Sequence, residues 1–198
     1  MRKAGVAAMR KRALIRAAIT EVGQAGSLDV TVSQIALRAG VSSALAHHYF
    51  GSKEQIFLDS MRHILREFGT SARSGVALAT TPREQIHAII AASFAPQQFE
   101  RNVVAAWLTF YVQALRSAEA ARLLRVYARR LESNLVFYLR KLVNEAAARR
   151  TAQGLASMID GLYIRCALQD GAPDPDVART LVGDYLDLSL GREAGREK

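Results

Sequence analysis

The chain has 198 residues, of which 50% are hydrophobic, 23% are charged and 7% are aromatic. These proportions are ordinary for a folded globular protein, and they exclude extensive disorder and collagen-like or low-complexity structure. The 27 lysines and arginines exceed the 18 acidic residues, and the net charge of +9 favours a polyanionic partner.

The sequence also carries expectations about the cellular compartment. No apolar run reaches the roughly 18–20 residues of a membrane span, and the basic N-terminal segment lacks the apolar core and cleavage site of a signal peptide. The single cysteine, Cys166, can form neither an internal disulfide nor a zinc site. We therefore expect a cytoplasmic protein with no cofactor, no metal and no membrane partner.

Positive charge is concentrated near the N-terminus. Residues 1–66 contain ten Lys and Arg against four Asp and Glu, a net charge of +6, whereas the rest of the chain carries +3. This asymmetry indicates a nucleic-acid-binding module joined to a part with another task. The alternative on charge alone is a solvated basic surface. A protein that coats DNA without sequence preference would instead carry positive charge over most of its surface.

The fold class predicted from the sequence is all-α. Only four prolines occur, and no alternating apolar run bounded by turn dipeptides indicates a strand. Three pairs have the spacing of a capping box at a helix start, namely Thr31 with Gln34, Ser52 with Gln55 and Thr81 with Glu84. Apolar spacing predicts nine helices, at residues 8–25, 32–39, 43–49, 53–72, 82–94, 102–116, 119–147, 151–169 and 175–190.

The segment TVSQIALRAGVSSALAHHYFGSK, residues 31–53, predicts a helix-turn-helix. A capped helix is followed by Gly40, which can adopt a positive φ, and by Ser42, which can cap a second short helix. The first helix would direct Ile35, Ala36 and Ala39 inward, and the second would direct Leu45 and Tyr49 inward. The structural alternative is an ordinary helical hairpin with a glycine turn.

The second helix of this motif is the predicted recognition helix. Its remaining side chains, Ser43, Ala44, His47 and His48, would face outward, and small or polar groups let a helix approach base edges in the major groove. The two histidines are unsuited to binding one metal ion together, because adjacent helical residues diverge by about 100°. Cations outside this helix suit phosphate contacts, namely Arg10, Lys11, Arg12 and Lys53.

These motifs resemble the TetR family of bacterial transcriptional repressors. The likeness lies in the basic helix RKRALIRAAITEVGQAG, in the TVSQIALRAGVS segment, in the His48-Tyr49-Phe50 run and in the Ser52-Lys53-Glu54 run. The resemblance implies a DNA-binding domain at residues 1–52, with the helix-turn-helix at about 31–50, and an effector-binding and dimerisation domain at residues 53–198.

The same resemblance implies roles for individual residues. Thr31 and Ser33 would contact phosphates, Tyr49 and Lys53 would hold the DNA backbone, and the groove would be faced by Ser42, Ser43, Ala44, His47 and His48. Leu45 departs from the family, because many members have Thr at that position, and leucine has no hydroxyl for a phosphate contact.

Three later segments resemble the BetI group of this family, which represses the genes that convert choline to glycine betaine. They are AWLTFYVQAL (residues 106–115), RLESNLVFYLRK (130–141) and GLASMIDGLYIRCAL (154–168). The resemblance implies a palindromic double-stranded operator and choline or betaine aldehyde as the effector that relieves repression. The alternative is a TetR-type repressor that responds to a different small ligand.

The last two predicted helices are candidates for a homodimer interface. Their apolar stripes consist of Leu155, Ile159, Leu162 and Cys166 on helix 151–169, and of Val177, Leu181, Tyr185 and Leu188 on helix 175–190. Two helices from each chain can form a four-helix interface, as the resemblance also implies. A dimer would let two recognition helices bind half-sites about 34 Å apart. The alternative is burial of both stripes against helix 119–147 of the same chain.

Aromatic residues are candidates for effector binding. Trp107, Phe110 and Tyr111 share one helical face, on which Phe94, Phe99 and Tyr163 can converge. Aromatic faces attract quaternary ammonium groups with about 0.5–2 kcal/mol per desolvated ring. These residues can therefore form a cage for choline, with Asp160 as its counter-charge. The alternative is an aromatic core, with Asp160 in an ion pair.

No motif indicates an enzyme. The sequence has no HExxH, nucleophile elbow, P-loop or dinucleotide-binding glycine pattern after a strand. The nearest carboxylate cluster lies in the segment DGAPDPD, whose Gly and Pro content suits a helix connection. We therefore expect a binding protein rather than a catalyst.

Overall fold

The computed structural model describes residues 2–194, and within that range it contains nine helices and no strand. The helices are α1 (Arg2–Ala25), α2 (Val32–Arg38), α3 (Ser43–Phe50), α4 (Lys53–Leu78), α5 (Pro82–Ser93), α6 (Arg101–Ala114), α7 (Ala118–Leu139), α8 (Glu145–Leu168) and α9 (Pro175–Ala194). The all-α prediction is confirmed. None of the described helices has the length and apolar character needed to cross a bilayer.

Hydroxyl side chains begin three of these helices as predicted. Thr31 and Thr81 each form a complete capping box, with Gln34 and Glu84 respectively. At the start of α4, Ser52 Oγ accepts a hydrogen bond from the Gln55 amide, but the Gln55 side chain donates to Asp59 instead of returning to the cap. The capping spacing therefore located all three helix starts.

The prediction of one continuous helix at residues 119–147 is wrong, because the structure divides this range between α7 and α8. Helix α7 ends at Leu139, and α8 begins at Glu145 with Asn144 as its N-cap. The Asn144 side chain accepts a hydrogen bond from the Ala147 amide at 3.0 Å. No Gly or Pro interrupts residues 140–144, so an asparagine that bonds the backbone ahead of it supplies the new start. Helix α8 therefore begins six residues before the predicted start at 151.

Two other helices extend six residues beyond their predicted limits, and α9 extends four residues beyond its predicted end, to Ala194. Helix α1 starts at Arg2 rather than residue 8, and α4 continues to Leu78 rather than stopping at residue 72. Helix α4 begins at Lys53, which is where the second predicted domain begins. The functional division at that point stays a prediction.

The described residues form two compact units. The first unit extends to Ile64 and includes Arg101–Leu123. Within it α1 packs against α6 and α2, and α2 packs against α3. Its fully buried side chains come from each of these helices and include Leu14, Ile35, Ala46 and Phe110.

The second unit comprises Leu65–Glu100 and the chain from Leu124 onward. Within it α9 packs against α8 and α5. Its fully buried side chains include Ile86, Leu135, Leu155 and Ile159. At Gly154 the two last helices approach closely, because a Cβ atom there would collide with the ring of Tyr185.

Glycine also permits a close approach between α1 and α6 in the first unit. A Cβ atom on Gly23 would collide with the backbone carbonyl of Asn102. Gly5 lies in the same helix α1, and a Cβ atom there would meet nothing within 4 Å. The two positions therefore differ in packing while sharing one helix.

We expect Gly23→Ala to lower the free energy of unfolding by about 1–3 kcal/mol, because the backbone of α6 must move to admit the methyl group. The control Gly5→Ala should leave stability unchanged or raise it by up to about 1 kcal/mol, since Ala favours a helix over Gly. Urea unfolding followed by circular dichroism measures both variants. Equal stabilities of the two variants would contradict the close approach of α1 and α6.

Candidate nucleic-acid interface

The predicted recognition helix is α3, and both of its ends are defined by local contacts. Ser42 is its N-cap, and the Ser42 side chain accepts a hydrogen bond from the Leu45 amide at 3.2 Å. Gly40 in the preceding turn has a φ of 68°, and Gly51 at the C-cap has a φ of 74°. Such values favour glycine, so the sharp turn predicted at Gly40 is confirmed.

The two faces of α3 differ in burial. Ala46 and Phe50 are buried, at 0% and 6% exposure. Leu45 and Tyr49, which the sequence analysis placed inward, are half-buried. Ala46 and Phe50 were not predicted as the anchors of this helix, although their spacing of four residues is the signal of a helical face.

The outward face of α3 carries small and polar side chains. Ala44, His47 and His48 are exposed, as predicted, and Ser42 is exposed at the cap. Ser43 is half-buried, and its hydroxyl donates a hydrogen bond to the Ser33 hydroxyl of α2 at 3.1 Å. The structure thus brings Ser33 and Ser43 together across the turn.

The remaining predicted DNA contacts also lie in the first unit. Thr31 and Ser33 are exposed at the start of α2, and the Thr31 hydroxyl donates to the Gln34 side chain at 2.9 Å. Lys53, the first residue of α4, is half-buried, with its Nζ 5.7 Å from the centroid of the Phe57 ring. The DNA-binding roles of these residues stay predictions.

The basic residues of α1 have different environments. Arg10 and Arg12 are exposed, and among the described residues neither takes part in an ion pair. Lys11 Nζ instead lies 3.0 Å from Asp59 Oδ2 and 5.1 Å from the centroid of the Phe50 ring. This pairing was not predicted, because 48 positions separate the two partners in the sequence.

Candidate effector residues in the first unit form one aromatic group on α6. The Trp107 ring centroid lies 6.4 Å from that of Phe110 and 5.5 Å from that of Tyr111, and both pairs are edge to face. Trp107 and Phe110 are buried, whereas Tyr111 is half-buried. These three rings share one surface of α6, as their spacing predicted.

The other candidate effector residues lie in the second unit. The Phe94, Phe99 and Tyr163 rings contact one another, with centroid distances of 5.1–6.0 Å. The Tyr163 hydroxyl donates a hydrogen bond to the Ser93 carbonyl oxygen at 2.5 Å. Burial raises the pKa of Tyr163, and the negative charge of Asp160 adds to this effect, so the phenol stays protonated. The role of both aromatic groups in ligand binding stays a prediction.

The second unit also has a surface cavity of about 610 Å³ on α9. Its described lining includes two carboxylates beside an apolar residue, namely Asp184, Asp187, Leu188 and Gly191. None of the predicted effector residues is part of that described lining.

The prediction that the apolar stripe on α8 forms part of a dimer interface is wrong for its first two members. Leu155 and Ile159 are fully buried within the second unit, because this face of α8 belongs to the core of the unit. Apolar side chains further along α8 are exposed instead, namely Ile164 at 43% and Leu168 at 76%. Their spacing of four residues is a signal that the sequence analysis did not use.

The stripe predicted on α9 is largely accessible. Val177, Leu181 and Leu188 are exposed, at 54%, 46% and 64%, and Tyr185 is half-buried. Large apolar side chains exposed on two neighbouring helices are typical of a protein–protein interface.

Comparison with known proteins identifies the family. Residues 14–59 match the model of the bacterial regulatory proteins of the tetR family. Residues 82–191 match the model of the C-terminal part of BetI-type transcriptional repressors. The chain belongs to the TetR family. It is a TetR-type repressor with a BetI-type C-terminal domain, as the sequence analysis predicted.

Full-length relatives agree with this assignment. The chain is 54% identical over 197 residues to the HTH-type transcriptional regulator BetI of Brucella melitensis, and the match covers 100% of each chain. It is 48% identical over 190 residues to the BetI regulator of Agrobacterium fabrum, with coverage of 96% of this chain and 92% of the relative. These relatives are transcriptional regulators.

Solved structures share the fold at low sequence identity. A transcriptional regulator from Saccharomonospora viridis in complex with choline superposes with a TM-score of 0.78 at 20% identity, over 89% of this chain and 95% of the other. A transcriptional regulator from Rhodococcus superposes with a TM-score of 0.74 at 20% identity, over 92% and 95% of the two chains. The predicted TetR-like architecture is confirmed.

Proposed function

We propose that this repressor binds a palindromic double-stranded operator and places one α3 helix of each of two copies in the major groove. The observation that carries this proposal is the outward face of α3, where Ala44, His47 and His48 are exposed. A small side chain permits close approach to the bases, and the two imidazoles can bond to base edges or phosphates. The helix is held at a turn of the kind that helix-turn-helix proteins use.

Phosphate contacts would supply the part of the affinity that does not depend on sequence. We assign them to Thr31, Ser33, Tyr49 and Lys53, with the exposed cations of α1 beside them. Ser42 and Ser43 would line the edge of the groove at the start of α3. Each neutralised phosphate releases counterions, so this part of the affinity falls as salt is added.

The second copy would associate through α8 and α9. Support comes from the exposed apolar side chains of these helices, above all Leu168, Val177 and Leu188. Such side chains lose contact with water when two copies associate, at about 25 cal/mol for each Å² of apolar surface. A homodimer also matches the two-fold symmetry of a palindrome.

We propose choline or betaine aldehyde as the effector, with genes of choline conversion to glycine betaine as the target. Support comes from the BetI relatives and from the choline complex of the Saccharomonospora viridis regulator. The candidate contacts form two groups, each within one unit: Trp107, Phe110 and Tyr111 in the first, and Asp160 and Tyr163 in the second. Aromatic rings bind a quaternary ammonium ion, and the carboxylate balances its charge.

Effector and operator would act on each other through linkage. Suppose that the effector binds more tightly to a conformation in which the two α3 helices do not fit the two half-sites. The effector then lowers operator affinity by the ratio of its affinities for the two conformations. The protein would act by binding alone, in the cytoplasm and without a cofactor. A repressor of the same type with a different small ligand is the second candidate.

We expect His47→Ala to weaken binding to the duplex upstream of the repressor's own gene by about five-fold or more, since one good base contact is worth about 1–3 kcal/mol. His87→Ala is the matched control, because it removes an imidazole from α5 in the second unit. Fluorescence anisotropy with specific and scrambled duplexes measures both variants. Equal affinities of the two variants would contradict the placement of α3 in the groove.

We expect choline or betaine aldehyde to weaken the operator complex by about 5- to 150-fold, the usual range of allosteric coupling. Glycine betaine, a zwitterion with its own carboxylate, serves as the comparison in the same titration. If none of the three compounds changes operator affinity, the second candidate, a repressor with a different ligand, replaces the first.

A further inference from the structure

Lys11 of α1 lies between the end of the recognition helix and α4. Its Nζ is 3.0 Å from Asp59 Oδ2 on α4 and 5.1 Å from the ring centroid of Phe50, the last residue of α3. Phe50 is itself 6% exposed. One ammonium group therefore contacts the side chains of both neighbouring helices, and all of these residues belong to the first unit.

Asp59 is held by donors from two helices. Its Oδ1 accepts hydrogen bonds from Gln55 Nε2 at 3.0 Å and from an Arg62 guanidinium nitrogen at 2.8 Å, while its Oδ2 faces Lys11. Partial burial acts to raise the pKa of Asp59, but the hydrogen bonds from Lys11 and Arg62 outweigh it and the pKa is lowered. The carboxylate is thus ionised at neutral pH and fixed in orientation.

The charged contacts continue to α7. A second guanidinium nitrogen of Arg62 lies 2.5 Å from Glu119 Oε1, in the first turn of α7. Lys11, Asp59, Arg62 and Glu119 therefore form an ionic chain that joins α1, α4 and α7 within the first unit.

The two basic neighbours of Lys11 on α1 differ from it in their exposure and ion pairing. Arg10 and Arg12 are exposed, and among the described residues neither has a carboxylate within ion-pair distance. A phosphate that recruited Lys11 would have to compete with Asp59 and the Phe50 ring for its ammonium group, whereas a phosphate could meet Arg10 or Arg12 without such competition. The side chain of Asp59 is only 16% exposed, so water would not easily replace its lost partner.

We propose that Lys11 and Asp59 are positioning residues for operator binding, which hold the end of α3 against α1 and α4 and do not contact DNA. This inference rests on the proposed function of α3. The orientation of the outward face of α3 is set by how its buried edge is held, and a small misplacement weakens contacts that depend on distance. Lys11 thereby leaves the set of phosphate-contacting cations that the sequence predicted.

The salt dependence of operator binding tests this assignment. We expect Lys11→Met to weaken binding about three- to ten-fold, the range that a partly exposed ion pair and a cation–π contact carry together. The slope of log affinity against log salt should not change. Arg12→Met, the matched control, should reduce that slope by about 0.9, because one phosphate contact is lost.

Three further variants distinguish positioning from a general loss of structure. Lys11→Arg keeps the charge and should restore most of the affinity. Asp59→Asn should weaken binding like Lys11→Met, and the double variant should be no weaker than the worse single variant, because both single variants break the same Lys11–Asp59 ion pair. Thermal unfolding shows whether each variant is folded, and the Lys11 variants carry the test if Asp59→Asn is not.

The outcomes distinguish failure of the positioning role of Lys11 from failure of the proposed operator-binding function. A reduced salt slope for Lys11→Met would show a phosphate contact and overturn the positioning role alone. Unchanged affinity of that variant would overturn the role as well. If the wild-type protein does not distinguish its upstream duplex from a scrambled one, the proposed function fails, and the positioning role fails with it.

Discussion

An eight-residue helix is too short to be stable in water by itself, because the cost of nucleation exceeds what so few hydrogen bonds return. Helix α3 (Ser43–Phe50) has this length, so its position depends on its surroundings. Ser42 satisfies a backbone amide at its start, and Ala46 and Phe50 are buried along one edge. Helix α3 can therefore present a polar outward face only while the first unit holds its other face.

This dependence gives the contacts around α3 a functional meaning. Gly40 and Gly51 set the two turns that flank the helix, and the Ser33–Ser43 hydrogen bond joins it to α2. At the C-terminal end of α3, the ammonium group of Lys11 on α1 contacts the Phe50 ring. A change in any of these contacts would alter the orientation of α3 while its exposed side chains stayed the same.

The second unit has a different physical character. Its helices α8 and α9 expose large apolar side chains, whereas the outward face of α3 is small and polar. The proposed association of two copies and the proposed association with DNA would therefore use different surfaces of the chain. The BetI-type match over residues 82–191 lies in the part of the chain that includes α8 and most of α9.

The sequence predicted those features that depend on local chemistry. Capping residues such as Thr31 and Thr81, and the positive φ of Gly40, follow from contacts within a few positions of each residue. The break at Asn144 was missed because it has no Gly or Pro, and Leu155 was misplaced because helical spacing defines a face without saying what covers it.

Contacts between distant segments could not be predicted either, because sequence spacing does not say which residues of other helices cover a given face. No periodicity relates Lys11 to Asp59, so the pairing became visible only in the tertiary structure. The family resemblance supplied the candidate DNA contacts, and the structure shows where these side chains lie. Sequence spacing also placed Trp107 and Tyr111 on one face but could not separate a ligand cage from a core.

The most direct test of the account is a hydroxyl-radical footprint of the upstream duplex, with the wild-type protein and with Leu181→Glu, a charge placed among the exposed apolar side chains of α9. The account predicts two protected segments on one face of the DNA, centred about 34 Å apart, and their joint loss in the variant. Leu78→Glu, a charge at an exposed leucine at the end of α4, should leave the footprint intact. A single protected half-site, or a wild-type footprint that persists in Leu181→Glu, would contradict the pairing of two recognition helices through α8 and α9.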